Sequence, residues 1–201
     1  MEMEYRFDEK NQLRCDIEEQ SIGFLSRYGE IPIRYQVHSL FEVTVDDPAS
    51  TTLVERQVQH PWVKDYDTVK GEAPTDWPNR WDISNWGLLA VTVNGYWVGG
   101  CAVAFNTEGI EMLDRRDDLA VLWDIRVHPD HRGNGIGSKL FNAAIEWASD
   151  RQCHELKVET QNINVPACRF YKRQGCSLNA INRSEYPDLP DEIQLIWNLE
   201  L

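Results

Sequence analysis

Residues 120–148, AVLWDIRVHPDHRGNGIGSKLFNAAIEWA, constrain the fold of this chain more than any other stretch. An apolar strand pattern over 120–127 is stopped by His128-Pro129, and glycines follow at 133, 135 and 137. Ile136, Leu140, Ala144 and Ala148 then recur every four residues, with Phe141 and Ile145 alongside. That spacing predicts a helix of about three to four turns. A helix start exposes unpaired backbone N–H groups and carries partial positive charge, and glycines let an anion reach them without interference from Cβ atoms. The segment is therefore a candidate phosphate site. The dinucleotide fingerprint GxGxxG does not match glycines at alternate positions, and the nucleotide P-loop fails because GSK stands where GK[ST] is required. The plain alternative is that the glycines only make a tight turn.

The rest of the chain extends the α/β organisation. IRYQVHSLFEVTV (33–45) is rich in β-branched and aromatic residues and predicts a strand, and TTLVERQVQH (51–60) predicts a short helix ended by Pro61. LLAVTV and YWVGGCAVAF flank Asn94-Gly95, the pair that supplies the positive φ angles of a type I′ hairpin turn. LKVETQ alternates as a strand does. Asn164 can cap a helix whose first turn accepts Pro166 and which Gly175 ends. EIQLIWNLEL closes as a strand with Ile193, Leu195, Trp197, Leu199 and Leu201 on one face. A length of 201 residues with 42% hydrophobic content suits one domain, and no repeat or linker divides it.

Charge and cysteine usage narrow the partners. With 20 basic against 33 acidic residues the net charge is -13, which disfavours nucleic acid and suits cationic partners, although surplus carboxylates also simply keep a protein dispersed. The opening MEMEYRFDEKNQLRCDIEEQ is acidic and lacks an apolar run, so it reads as neither signal peptide nor membrane span, and the expected location is cytoplasmic. Five cysteines (15, 101, 153, 168, 176) contain no CxxC pair, which argues against a disulfide framework and against a zinc site, and they read as reduced core thiols.

Arg132, Gly135 and Gly137 fit the pattern [RQ]xxGx[GA] at a strand-to-helix junction, and NVPACRFYKRQGC carries Asn164, Ala167, Tyr171 and Gly175 in the pattern NxxAxxxYxxxG. With the preceding WDIRVHPDHRG, these segments resemble the GNAT superfamily of acetyl-CoA-dependent N-acetyltransferases over about residues 119 to 180. Within it, VETQNINVPACRFYKRQGC, the following Tyr186 and EIQLIW, and the upstream PWVKDYD, are similar to the streptothricin acetyltransferases. The resemblance implies an α/β GNAT fold whose mixed, mostly antiparallel central sheet is splayed between the family's fourth and fifth strands, with helices on both faces. Residues 1–118 would form the acceptor side and 119–201 the acetyl-CoA-binding half. It implies acetyl-CoA as co-substrate, no metal, and cofactor contacts at Ile125, Val127, Arg132, Gly133, Asn134, Gly135, Gly137, Ser138, Asn164 and Tyr171, with Tyr171 as partner of the departing thiolate. Two departures touch the acceptor side: PTDWPNRWDISNW replaces the long acidic insertion of some members, and Trp123 stands where related enzymes often carry glutamate.

Acetyl transfer to an amine needs a base. A lysine-like amine with pKa about 10.4 is neutral at pH 7 in only about one molecule in two thousand, a cost of roughly 4.6 kcal/mol. Candidates for the proton acceptor are Asp124, Glu159 or a water chain to either, and alternation puts Asp124 and Trp123 on opposite strand faces. His128 and His131 flank the glycine loop and would counter phosphate charge. Trp62, Trp77, Trp81 and Trp86 would either wall a cation pocket or pack in the core, with packing the stronger reading. The expected acceptor is a primary amine on a cationic small molecule of streptothricin type. A peptide or protein acceptor, and a non-catalytic acyl-CoA sensor, share every cofactor residue, and a homodimer stays open.

Overall fold

The computed structural model describes residues 15–47 and 50–201. The acidic opening segment therefore lies outside the described residues up to Arg14. Two compact units emerge, one comprising the residues up to Ile33 with Asp65–Leu156 and Glu200–Leu201, the other Arg34–Lys64 with Lys157–Leu199.

In the first unit, β1 (Asp16–Glu19) pairs antiparallel with β4 (Gly87–Val93), β4 with β5 (Tyr96–Phe105), and β5 with β6 (Leu119–Val127). Asn94 and Gly95 take φ of 52° and 79°, the two positive values that the hairpin requires. The sequence gives no warning of β1, because Asp-Ile-Glu-Glu has little to bury; it is an edge strand whose carboxylates face outward. Helix α3 (Ile136–Ser149) packs across β4, β5 and β6 through Ile136, Leu140, Phe141, Ala144, Trp147 and Ala148, all buried. Cys101 points to that side, its thiol 3.7 Å from the Leu140 carbonyl. Ala102 and Ala104 turn the other way, into a cluster with Tyr28 of the short helix α1 (Leu25–Tyr28), Trp77 of the short helix α2 (Trp77–Arg80) and Trp86 just before β4. Helices thus cover both faces of this sheet.

The second unit holds the antiparallel pair β2 (Tyr35–Asp47) and β3 (Ser50–Lys64). Residues 51–60 are strand, which corrects the expected helix. Thr, Val and Leu fit a pleated ladder, and Pro61 does not end a helix but sits in an irregularity: Val37 faces Trp62 and Ser39 faces Gln57, so Val58 to Pro61 stand opposite His38 alone. A residue without an N–H is tolerated there because the ladder is already interrupted. β7 (Glu155–Gln161) runs from the first unit into the second, followed by α4 (Val165–Arg173), β8 (Ser177–Asn182) and β9 (Gln194–Glu200), the last two paired antiparallel. Asn164 caps α4 by accepting from the Ala167 N–H at 3.2 Å, and Gly175 ends it at φ 94°. β9 buries Leu195 and Trp197 as expected, and also Gln194 and Ile196 on the other face. All five cysteines are free, four of them buried. Among the described residues no helix is long and apolar enough to cross a membrane.

Candidate active site

The glycine loop is built as its sequence demands. Gly133 and Gly135 hold φ of 80° and 79°, Gly135 is the residue before α3, and a Cβ on either would meet nothing within 4 Å. No acidic residue occupies the first turn of α3, so no carboxylate of that turn competes there with an anion. Arg132 closes the loop onto β6, donating from Nε to the Val127 carbonyl at 2.9 Å and from Nη2 to the Pro32 carbonyl at 3.1 Å. Asn134 reaches back to the His131 carbonyl at 3.3 Å. His131 is buried, and burial followed by the nearby His128 lowers its imidazole pKa, so it is neutral at pH 7 and adds no positive charge to the loop. Open space beside the loop, positive φ at two glycines and a helix start suit a pyrophosphate group.

Asp124 and Trp123 do not alternate. Ala102 pairs with Asp124 and Val103 with Leu122, so Trp123 is the extra residue of a β-bulge. Both side chains consequently meet the same aromatic cluster. Trp123 packs edge-on against Trp81 with ring centroids 4.9 Å apart, and lies 5.3 Å from Trp86. Asp124 accepts from the Tyr28 hydroxyl at 2.5 Å.

Asp124 belongs to a buried ionic group that the sequence reading missed. Arg126 donates from Nε and Nη2 to the two oxygens of Asp124 at 2.9 and 2.6 Å, from Nη1 and Nη2 to those of Asp67 at 3.0 and 3.2 Å, and from Nη1 to the Ile31 carbonyl at 3.0 Å. All five guanidinium donors are used. Burial opposes the guanidinium charge, but Asp124, with Tyr28 and Asp67, raises its pKa above the ordinary arginine value. Burial and the Asp124 charge push the Tyr28 hydroxyl well above its ordinary pKa. Tyr28 lies against β5 because position 100 is glycine; a Cβ there would stand 2.8 Å from the Tyr28 ring and 2.5 Å from the Leu89 carbonyl.

Trp77 and Trp86 are packing residues. Both are buried, their rings 5.7 Å apart, and each indole N–H is satisfied, by the Glu72 carbonyl at 3.0 Å and by the Thr107 hydroxyl at 2.9 Å. Trp81 is half-buried, with the Arg80 guanidinium 4.1 Å from its ring centroid. Trp62 belongs to β3 of the other unit, where it is exposed.

The second unit holds Glu159, Asn164 and Tyr171. Tyr171 is buried on α4, its ring 5.1 Å from that of Phe170, and its carbonyl accepts from Cys176 N–H at 3.1 Å. Glu159 lies in a cluster of neutral donors. Its Oε1 accepts from the Tyr186 hydroxyl and from Gln161 Nε2 at 3.0 Å, and its Oε2 from Gln194 Nε2 at 2.8 Å. Burial raises the Glu159 pKa, the Tyr186 and Gln194 hydrogen bonds oppose that, and Glu185 adds to it. Among the described residues no Lys, Arg or His forms an ion pair with Glu159.

The acetyltransferase (GNAT) family matches residues 54–176, more than half of the chain, and the chain belongs to that family. Its relatives include streptothricin acetyltransferase A of Bacillus subtilis, 38% identical over 90 residues, which are 44% of this chain and 52% of that protein. The chain thus spans about half the length of that relative. Streptothricin acetyltransferase of Streptomyces lavendulae is 27% identical over 158 residues, 79% of each chain. A solved structure from Bacillus anthracis str. Ames, in complex with acetyl coenzyme A, superposes with TM-score 0.73 at 21% identity, covering 94% of this chain and 100% of that one. The fold is the GNAT fold.

Proposed function

We propose that this chain transfers acetyl from acetyl-CoA to a primary amine on a cationic small molecule of streptothricin type, by direct attack of the amine on the thioester. The likeness to the Streptomyces lavendulae streptothricin acetyltransferase, which extends over 79% of both chains, carries the reading. The loop from Arg132 to Ser138 and the amides of Ile125 and Val127 would hold the cofactor, whose contribution is an activated thioester. Asn164 keeps its structural cap on α4.

Glu159 is the better base of the two carboxylates. Asp124 is committed to Arg126 and Tyr28, which together bond both of its oxygens. Glu159 has only neutral donors, so a cationic amine supplies its missing counter-charge. Its raised pKa sets the sign of the pH response: Glu159 accepts protons only when ionised, so kcat/KM should fall as pH drops through a limb above the ordinary glutamate range. That limb should vanish in Glu159→Gln.

A thiol-release screen of amines tests the function, covering streptothricin, polyamines, aminoglycosides and peptides. Streptothricin should turn over fastest; a peptide as best acceptor would replace the small-molecule reading, and no thiol release with any amine would leave a sensor. Tyr171→Phe keeps the ring and deletes the hydroxyl. Acetyl-CoA affinity by calorimetry should survive while turnover drops roughly ten- to thousandfold, within the usual range for proton-transfer groups. Unchanged turnover, with chemistry limiting, would make Tyr171 a packing residue.

A further inference from the structure

The hydrogen bonds around Glu159 run in one direction. Asn182 Nδ2 donates to Gln194 Oε1 at 2.5 Å, which turns the Gln194 amide so that its Nε2 faces Glu159 Oε2. Gln161 Nε2 donates to Glu159 Oε1 and also to the Tyr186 oxygen, each at 3.0 Å. With Gln161 donating to its oxygen, Tyr186 aims its own hydrogen at Glu159. Both carboxylate oxygens are therefore covered by donors. Three of the carboxylate's about four acceptor positions are taken, and of the three donors only the phenol holds a proton that can be handed on; amide N–H groups of glutamine do not ionise in this range.

We propose that Tyr186 is a catalytic residue that relays the acceptor's proton to Glu159, an inference that rests on the N-acetyltransferase reading above. As the acceptor ammonium gives a proton to Tyr186 Oη, the phenol proton passes to Glu159 Oε1, leaving neutral amine, neutral phenol and neutral carboxylic acid. The amine lone pair then forms the C–N bond to the acetyl carbon. The C–S bond breaks, and the sulfur leaves with the electron pair, takes the second N–H proton and ends as thiol. Glu159 later returns its proton to water. Burial, reinforced by the charge of Glu159, holds the Tyr186 hydroxyl far above its ordinary pKa, which keeps it protonated and unable to rest as phenolate, as a relay requires. The partly buried Tyr186 sits on the turn between β8 and β9, within reach of a soluble amine.

The connection from β8 to β9 that carries Tyr186 also carries Arg183, which donates to the Val43 carbonyl, and Glu185, Asp188 and Asp191; Lys157 stands two residues along β7, Glu192 ahead of β9 is paired with Lys64, and β8 and β9 present the uncharged Asn182 and Gln194. The test is the rate of thiol release by Tyr186→Phe and Glu159→Gln, followed from about pH 6.5 to about pH 9.5 with the best acceptor. At pH 7 each kcat should fall about ten- to thousandfold, with KM for acetyl-CoA within about twofold of wild type. The deficit should narrow as pH approaches the amine's own pKa near 10.4, because solvent then supplies the neutral amine. A loss that is equal at every pH, or no loss in Tyr186→Phe with chemistry limiting, would overturn the relay and leave Tyr186 structural. Full activity in Glu159→Gln would overturn its end point while acetyl transfer stands. A wild-type protein that binds acetyl-CoA and releases no thiol with any amine would instead overturn the function itself. Should the Phe variant unfold, Gln194→Leu provides the second arm: by removing one donor it should raise the Glu159 pKa and move the acidic limb upward, and an unmoved limb would overturn the relay.

Discussion

Gly135→Asp will leave a folded protein without measurable heat of acetyl-CoA binding. Position 135 has φ 79° and ψ 0°, precedes the first residue of α3, and offers an added side chain nothing but open space. Aspartate is among the residues that tolerate the left-handed region, so backbone strain stays near 1–2 kcal/mol and the loop survives. Its carboxylate then stands before the α3 amides, takes the hydrogen bonds that a pyrophosphate needs, and repels what remains of it. Two unit charges about 4 Å apart near a protein surface interact by about 4 kcal/mol, which is roughly a thousandfold in affinity. Gly135→Ala separates the two causes, since it adds the strain without the charge and should weaken binding by no more than about thirtyfold. Calorimetry that found wild-type affinity in the Asp variant would remove the phosphate assignment from the loop.

Features set by a few neighbouring residues were legible in the sequence. Asn94-Gly95 made its hairpin, the four-residue spacing from Ile136 made α3, and Asn164 with Gly175 bounded α4, because each is decided within one turn of chain. Pro61 misled, since its meaning depends on the partner strand: the same residue ends a helix or occupies a gap in a ladder, and only the pairing with β2 distinguishes them. Trp123 misled for the same reason, because strict alternation along β6 fails at a bulge that is defined by β5. The polar clusters were least legible. Asp-Ile-Arg in an otherwise apolar strand was a local hint, two opposite charges on one face, but Tyr28 and Asp67 lie 96 and 59 residues from their partners in that group. Glu159 was a candidate from its place in β7, whereas its isolation from cations depends on Gln161, Tyr186 and Gln194, drawn from a strand, a turn and a second strand.

The largest loss of stability will follow Arg126→Met. The guanidinium is almost fully buried, with 1% of its side chain exposed, and Asp124 beside it has 6%. Methionine fills much of the same volume, so packing is largely kept and the change isolates the charge. Two carboxylates and the Ile31 carbonyl then lose all five donors together, and removing one partner of a buried ion pair costs about 3–5 kcal/mol because the other charge stays in place. Urea unfolding should show a lower midpoint with an unchanged slope. Adding Asp124→Asn and Asp67→Asn to Arg126→Met should recover part of the loss, because no charge is then left buried without a partner. A wild-type midpoint in Arg126→Met would mean that water reaches these carboxylates and that the cluster holds nothing together. Arg126 lies between Ile125 and Val127, whose backbone would meet acetyl-CoA, and three of its five bonds tie β6 to the segments carrying Ile31 and Asp67. The same variant should therefore raise KM for acetyl-CoA at temperatures where it remains folded, linking the strength of the ion cluster to the fixed position of the strand.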